Sequence, residues 1–230
     1  MTLLPDWVKN SYLRLIDPVA DWLVARRVHP NTITVFGTFC TVVGGIIYAT
    51  GHIKTGGWFL AITALFDVLD GTVARRSNRS STFGAFLDSR LDRLADGFVL
   101  GGLAVFYATS ALHHSIPLMI TALLGLLGAF LTSYTRARAE ALGLDAKVGM
   151  LQRPERVVLM AAPQALFGLF FNGWPLAIII VILTVTAWIT VVQRVVYVYG
   201  ATTRTDAVKA RTDSGASPDA MPADARRALV

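Results

Sequence analysis

Six long apolar runs dominate this chain, near residues 31–50, 57–76, 83–109, 115–137, 155–172 and 174–199. Each can cross a hydrocarbon core of about 30 Å at about 1.5 Å per residue. In lipid every backbone N–H and C=O must be satisfied within the segment, so such runs have to be helices. Composition agrees. Of the 230 residues 54% are hydrophobic and 16% charged, with a mean hydropathy of +0.55, greasier than a soluble domain. The expected fold class is an all-α integral membrane protein with six transmembrane helices. The first strong apolar run begins only near Asn31, so no secretory leader is expected.

Lys and Arg are unevenly placed. Lys9, Arg14, Arg26 and Arg27 precede the first run, and Arg75, Arg76 and Arg79 separate the second from the third. Arg136, Arg138, Lys147, Arg153 and Arg156 surround the fourth connection, and Arg204, Lys209, Arg211, Arg226 and Arg227 follow the last run. The three alternate connections hold Lys54 alone. The positive-inside rule then puts both termini in the cytoplasm of a cell-membrane protein. Trp58 and Trp174 open runs on the opposite side, where interfacial tryptophans belong. The net charge of +6 is thus a basic cytoplasmic face toward anionic lipid headgroups. No soluble domain is left to bind nucleic acid. The single cysteine, Cys40, allows no internal disulfide, and no Cys/His metal set exists. His113 and His114 read as solvated residues of an outer loop.

Ahead of the first run, Leu4, Val8, Tyr12, Leu15, Ile16, Val19 and Leu23 recur at three and four. This predicts an amphipathic helix over 4–26 lying on the membrane. Pro30 ends it, and Asn31 or Thr32 is expected to cap the first span. After Gly200 the chain turns to Ala, Asp, Arg, Thr, Ser and Pro. Residues 1–29 are therefore read as an interfacial helix, 30–202 as the six-helix membrane domain, and 203–230 as a disordered cytoplasmic tail.

Five aspartates lie in and beside these runs: Asp67, Asp70, Asp88, Asp92 and Asp96. Each costs about 2.5–3.5 kcal/mol at mid-membrane, on the order of 12 kcal/mol together. Pairing with Arg75, Arg90 and Arg93 softens that cost without explaining why carboxylates are kept there. Asp67 and Asp70 are three apart, and Asp88 and Asp92 four apart, so each pair shares a helix face. A short connection makes the two helices antiparallel, and four carboxylates can converge from two walls toward a water-accessible cavity. Oxygen ligands without His or Cys suit Mg²⁺ or Mn²⁺. Four carboxylates can hold two such ions about 3.5–4 Å apart, an arrangement used for phosphoryl transfer. Gly71 and Gly84 lie in or near helices at a cost of about 0.8–1 kcal/mol relative to Ala, and with Ala74 they let a flat ligand come close. Gly97 and Gly101 read as a small-residue packing pair.

The series Asp67-x-x-Asp70-Gly71-x-x-Ala74-Arg75, eight residues, then Gly84-x-x-x-Asp88-x-x-x-Asp92 resembles the signature of the CDP-alcohol phosphotransferase family at every motif position. The resemblance implies a phosphatidyltransferase of phospholipid biosynthesis. A CDP-linked lipid such as CDP-diacylglycerol and an alcohol give a phosphodiester product and CMP. It implies that Asp67, Asp70 and Asp88 bind one metal, with Asp88 and Asp92 near a second. Asp92 would be the general base. Gly71, Ala74 and Arg75 would lie against the CDP moiety, with Gly84 leaving room for it. It also implies a homodimer.

Three segments bear on the acceptor: "SYTRARAEALG" from Ser133, "QRPER" from Gln152 and "TVVQR" from Thr190. Their arginines can anchor the cytoplasmic side, or together line a pocket for a phosphorylated alcohol, since Arg forks match phosphate bidentately. The segments resemble those of phosphatidylinositol phosphate synthases, which use inositol 1-phosphate. Arg136 stands where that group commonly has Lys, keeping the charge and changing its geometry. By this resemblance Ser133, Arg136, Arg156 and Arg194 are the acceptor-phosphate candidates. Glycerol 3-phosphate is the alternative acceptor. A membrane prenyltransferase would also use Asp pairs and Mg²⁺, but with its acidic motifs far apart in sequence. A cation carrier would place acids near the midplane and repeat its halves.

Overall fold

The computed structural model describes residues 6–146, 148–151 and 153–213. Seven α-helices follow in order: α1 (Asp6–Ala25), α2 (Pro30–Ala49), α3 (Ile53–Arg76), α4 (Thr82–Thr109), α5 (Ile116–Ala141), α6 (Arg153–Phe167) and α7 (Trp174–Asp213). A 3₁₀ turn, Phe170–Gly173, leads into α7.

Short connections make sequence neighbours antiparallel, and the contacts close α2 to α7 into a ring. In that ring α2 packs on α3, α3 on α6, α6 on α7, α7 on α5, α5 on α4, and α4 back on α2. One end of the ring, the charged end, carries Asp70, Arg75, Arg136 and Arg194. The core between the helices holds Tyr48, Ile53, Leu103, Leu176 and Ile180, all fully buried. The buried Tyr48 hydroxyl donates to the Met160 carbonyl at 2.6 Å, since a phenol taken out of water needs a partner.

Helices in lipid gain little from the hydrophobic effect and associate by close packing. The closest approach is between α2 and α4. A Cβ on Gly102 would stand 2.1 Å from the Gly45 carbonyl oxygen, and one on Gly45 would stand 2.5 Å from that of Phe98. Gly57 meets the α6 backbone in the same way, 2.4 Å from the Ala165 nitrogen. The packing pair expected at Gly97 and Gly101 is not the seam. A Cβ on Gly101 would meet nothing within 4 Å, and one on Gly97 only the Phe130 ring at 3.9 Å. These two lie one and five positions before Gly102, on faces turned away from α2.

Four helices are long and apolar enough to cross a membrane among the described residues: Pro30–Ala49, Ile53–Arg76, Ile116–Ala141 and Phe170–Thr203. The other two of the expected six are α4 and α6. The first half of α4 carries Asp88, Arg90, Asp92 and Arg93, with Asp96 next, and α6 has 15 residues. Helix α2 is capped by His29, whose Nδ1 accepts from the Asn31 N–H at 3.2 Å, not by Asn31 or Thr32. Pro30 takes the first helical position, where its fixed φ fits and no N–H is needed.

Helix α1 packs on the charged end of α3, with Ile16 and Ala20 against Ile33, Leu69 and Val73. Arg76 pairs with Asp17 and Asp21. Val19, grouped by spacing with the apolar face, is exposed beside Trp22. Helix α7 runs on to Asp213, beyond residue 202 where composition ends the membrane domain. Leu4 and residues 214–230 of the expected tail lie outside the described residues. His113 is half-buried and tilted against Phe106, with ring centroids 5.9 Å apart, rather than solvated.

Candidate active site

The last turns of α3 and the first turns of α4 face each other across the connection 77–81. Ser81 caps α4, its Oγ accepting from the Gly84 N–H at 3.0 Å. With α2 these turns border an open cleft. Asp70, Gly71 and Ala74 form its α3 wall, Gly84 and Asp88 its α4 wall, and Asn31 and Thr34 its α2 wall. A Cβ on Gly84 would come within 3.1 Å of Ser81 Oγ and 3.2 Å of Asn31 Oδ1. The missing side chain therefore keeps the α2 and α4 walls together at that point. Arg75 does not line the cleft. Its guanidinium donates to Thr72 one turn back, at 3.3 Å.

Asp70 is buried, with 8% of its surface exposed. Thr34 donates to its Oδ2 at 2.7 Å, which fixes that oxygen. Asp67 and Asp88 are close enough for their charges to act on Asp70.

A second, narrower cavity opens at the centre of the ring and is lined from all six of its helices. Asp67, Asp96 and Arg156 supply its charged part, and Leu60, Val99, Met160 and Leu183 much of its apolar part. Arg156 Nη1 lies 3.8 Å from Asp96 Oδ2. Arg156 Nε is buried without a hydrogen-bond partner, an arrangement that costs free energy unless something polar meets it.

Around the rim stands a group of arginines from four helices. Arg194 of α7 donates through Nε to the Val148 carbonyl at 2.9 Å and through Nη1 to the Thr132 carbonyl. Arg93, Arg136 and Arg156 are close enough for their charges to act on it. Ser133 accepts from Arg93 Nε at 2.6 Å. Arg136 pairs with Glu140 one turn on, at 2.8 Å and largely exposed. Four arginines stand here against three carboxylates, Asp92, Asp96 and Glu140, and like charges so close favour an added anion, so the group is suited to a phosphate.

The sequence profile described as CDP-alcohol phosphatidyltransferase matches residues 27–196. The chain belongs to this family. It is 37% identical over 187 residues to the phosphatidylinositol phosphate synthase of Mycobacteroides abscessus, covering 81% of this chain and 84% of that one. It is 39% identical over 186 residues to the archaetidylinositol phosphate synthase of Methanothermobacter thermautotrophicus, covering 81% and 89%. The solved phosphatidylinositol phosphate synthase of Mycobacterium tuberculosis, 33% identical, superposes with a TM-score of 0.73 in two forms. One has CDP-DAG bound and covers 81% of this chain and 94% of that one. The other is in complex with manganese and citrate and covers 80% and 88%. This chain is accordingly a CDP-alcohol phosphatidyltransferase, a membrane enzyme of phospholipid biosynthesis.

Within the family's motif, the structure brings Asp70, Gly71, Ala74, Gly84 and Asp88 to one cleft, and turns Asp67 toward the adjoining cavity. Asp92 lines neither; its Oδ2 lies 3.6 Å from Arg93 Nη1. Among the described residues no three His, Cys, Asp or Glu side chains are gathered tightly enough to enclose an ion. The donor chemistry fits a hard divalent cation, since every candidate is an oxygen and two carboxylates share the cleft. Sequence reading missed two residues, Thr34 as the partner of Asp70 and Arg93 as the partner of Ser133. Thr34 and Asp70 lie 36 positions apart and Arg93 and Ser133 lie 40 apart, beyond the reach of helical spacing.

Proposed function

We propose that this enzyme transfers the phosphatidyl group of CDP-diacylglycerol to a hydroxyl of inositol 1-phosphate, giving phosphatidylinositol phosphate and CMP. One observation carries the reading: Arg93, Arg136 and Arg156 gather within charge range of Arg194, and Arg156 lines the same central cavity as Asp67 of the motif. The two relatives differ in lipid, by name, and share the inositol phosphate product, which fits an acceptor site separate from the lipid site.

Gly71, Ala74 and Gly84 bind the CDP moiety by leaving it room, with Arg75 beside them. Asp67, Asp70, Asp88 and Asp92 would hold two Mg²⁺ or Mn²⁺ ions. Bound there, divalent ions supply neutralisation of the diphosphate and of the departing CMP. Ser133, Arg136, Arg156 and Arg194 hold the acceptor's phosphate. Asp92 takes the proton of the attacking hydroxyl as its oxygen bonds to the phosphorus bearing diacylglycerol and the bond to CMP breaks. All six ring helices cross the membrane, α4 with its charged first half at the surface. Both termini and the site face the cytoplasm, where a soluble sugar phosphate meets a lipid. The working unit is a homodimer.

The test is CMP release by the purified protein with CDP-diacylglycerol and Mg²⁺, offering inositol 1-phosphate, glycerol 3-phosphate, free inositol and serine in parallel. Release with inositol 1-phosphate alone is expected. Release with glycerol 3-phosphate alone would keep the mechanism and change the acceptor. In the same assay Arg194→Ala should raise the KM for inositol 1-phosphate on the order of ten- to a hundredfold, by loss of a charge-assisted contact. The KM for CDP-diacylglycerol should barely move. Equal effects on both substrates would remove Arg194 from the acceptor pocket.

A further inference from the structure

We infer that Arg93 is a positioning residue that fixes the span between the Asp92 carboxylate and the acceptor-phosphate group, and so selects the acceptor by the separation of its hydroxyl and phosphate. This rests on the proposed function above. A guanidinium donates in several fixed directions from one rigid plane. Here one direction crosses to α5, where Nε meets Ser133 Oγ at 2.6 Å. Another is anchored on α4, where Nη1 meets the Ser89 carbonyl at 2.7 Å, and Asp92 Oδ2 stands 3.6 Å from the same nitrogen. The plane therefore clasps the helix carrying the base to the helix carrying Ser133 and Arg136. The Arg93 side chain is 25% exposed, so it borders the site rather than filling the core.

An acceptor with its hydroxyl at Asp92 and its phosphate at Ser133, Arg136 and Arg194 has to bridge this clasp. A ring holds those two groups at a set separation. A three-carbon chain is flexible and adapts to many. A rigid clasp favours the ring, because placing reacting atoms to within about 1 Å is worth on the order of a hundredfold in rate. Lysine carries the same charge as a single point on a flexible stem. It can serve Ser133 or the Asp92 side, but not hold both in one plane.

The experiment compares Arg93→Lys, Ser133→Ala and the double variant of the full chain, assayed for CMP release with inositol 1-phosphate and with glycerol 3-phosphate. Arg93→Lys should lower kcat with inositol 1-phosphate about tenfold or more, with the KM for CDP-diacylglycerol held within about twofold. Its preference for inositol 1-phosphate over glycerol 3-phosphate should narrow about tenfold. The double variant should lose no more than the worse single, since both remove one contact. Equal loss with both acceptors, or strictly additive losses, would overturn the proposal and leave Arg93 as a packing residue. Wild-type turnover confined to glycerol 3-phosphate would overturn the proposed function instead. The ring preference assigned to the clasp would fall with it, whereas equal or additive losses in a wild type that uses inositol 1-phosphate overturn the clasp alone.

Discussion

Asp92→Asn is expected to lower CMP release by about a hundred- to ten-thousandfold, the range a positioned general base contributes, while CDP-diacylglycerol still binds. Asn has the shape of Asp and keeps one acceptor oxygen, but cannot take a proton at neutral pH. The surroundings should survive the change. Arg93 retains Ser89 and Ser133 as partners, so the junction of α4 with α5 does not depend on the carboxylate. Asp67, Asp70 and Asp88 remain to hold a cation, and Gly71, Ala74 and Gly84 stay in the cleft, so the donor lipid should keep part of its affinity. Asp70→Asn is the useful contrast. Its partner Thr34 sits on the cleft wall, and this variant should weaken lipid binding as well as turnover. Turnover by Asp92→Asn at the wild-type rate would refute the base assignment. Loss of lipid binding in step with turnover would leave Asp92 its ion-holding role alone.

The helices themselves are legible in the sequence because lipid leaves the backbone no other choice, and apolar runs mark their positions to within a few residues. Their neighbours are less legible. Hydropathy does not say that α3 packs on α6, or that α5 lies between α4 and α7, because every apolar face reads alike in a membrane. Aspartate spacing on α3 and α4 brings Asp70 and Asp88 to one cleft with three small residues, as helical periodicity requires. The same spacing does not foretell that Asp67 turns to the central cavity. The helical run of α7 through residues 203–213 depends on helix propensity that the compositional shift after Gly200 does not register.

The packing seam gives the other large effect. Gly102→Ala should lower the thermal midpoint of the purified protein sharply, at a cost of about 1–3 kcal/mol for an overpacked contact. Gly101→Ala should leave it unchanged or raise it, since Ala gains about 0.8–1 kcal/mol over Gly in a helix. One methyl is added to the same helix in both variants. At 102 it meets the Gly45 carbonyl at 2.1 Å, and at 101 it meets nothing within 4 Å. A carbonyl within a helix cannot rotate aside as a side chain can, so α2 must move off α4 as a body. That movement has a functional consequence. Helix α2 also carries Asn31 and Thr34, and α4 carries Gly84 and Asp88, on opposite walls of the cleft. Prising the seam open should therefore widen the cleft and raise the KM for CDP-diacylglycerol in Gly102→Ala, with no such change in Gly101→Ala. Two variants with the same midpoint and the same KM would mean that α2 and α4 do not meet through these glycines.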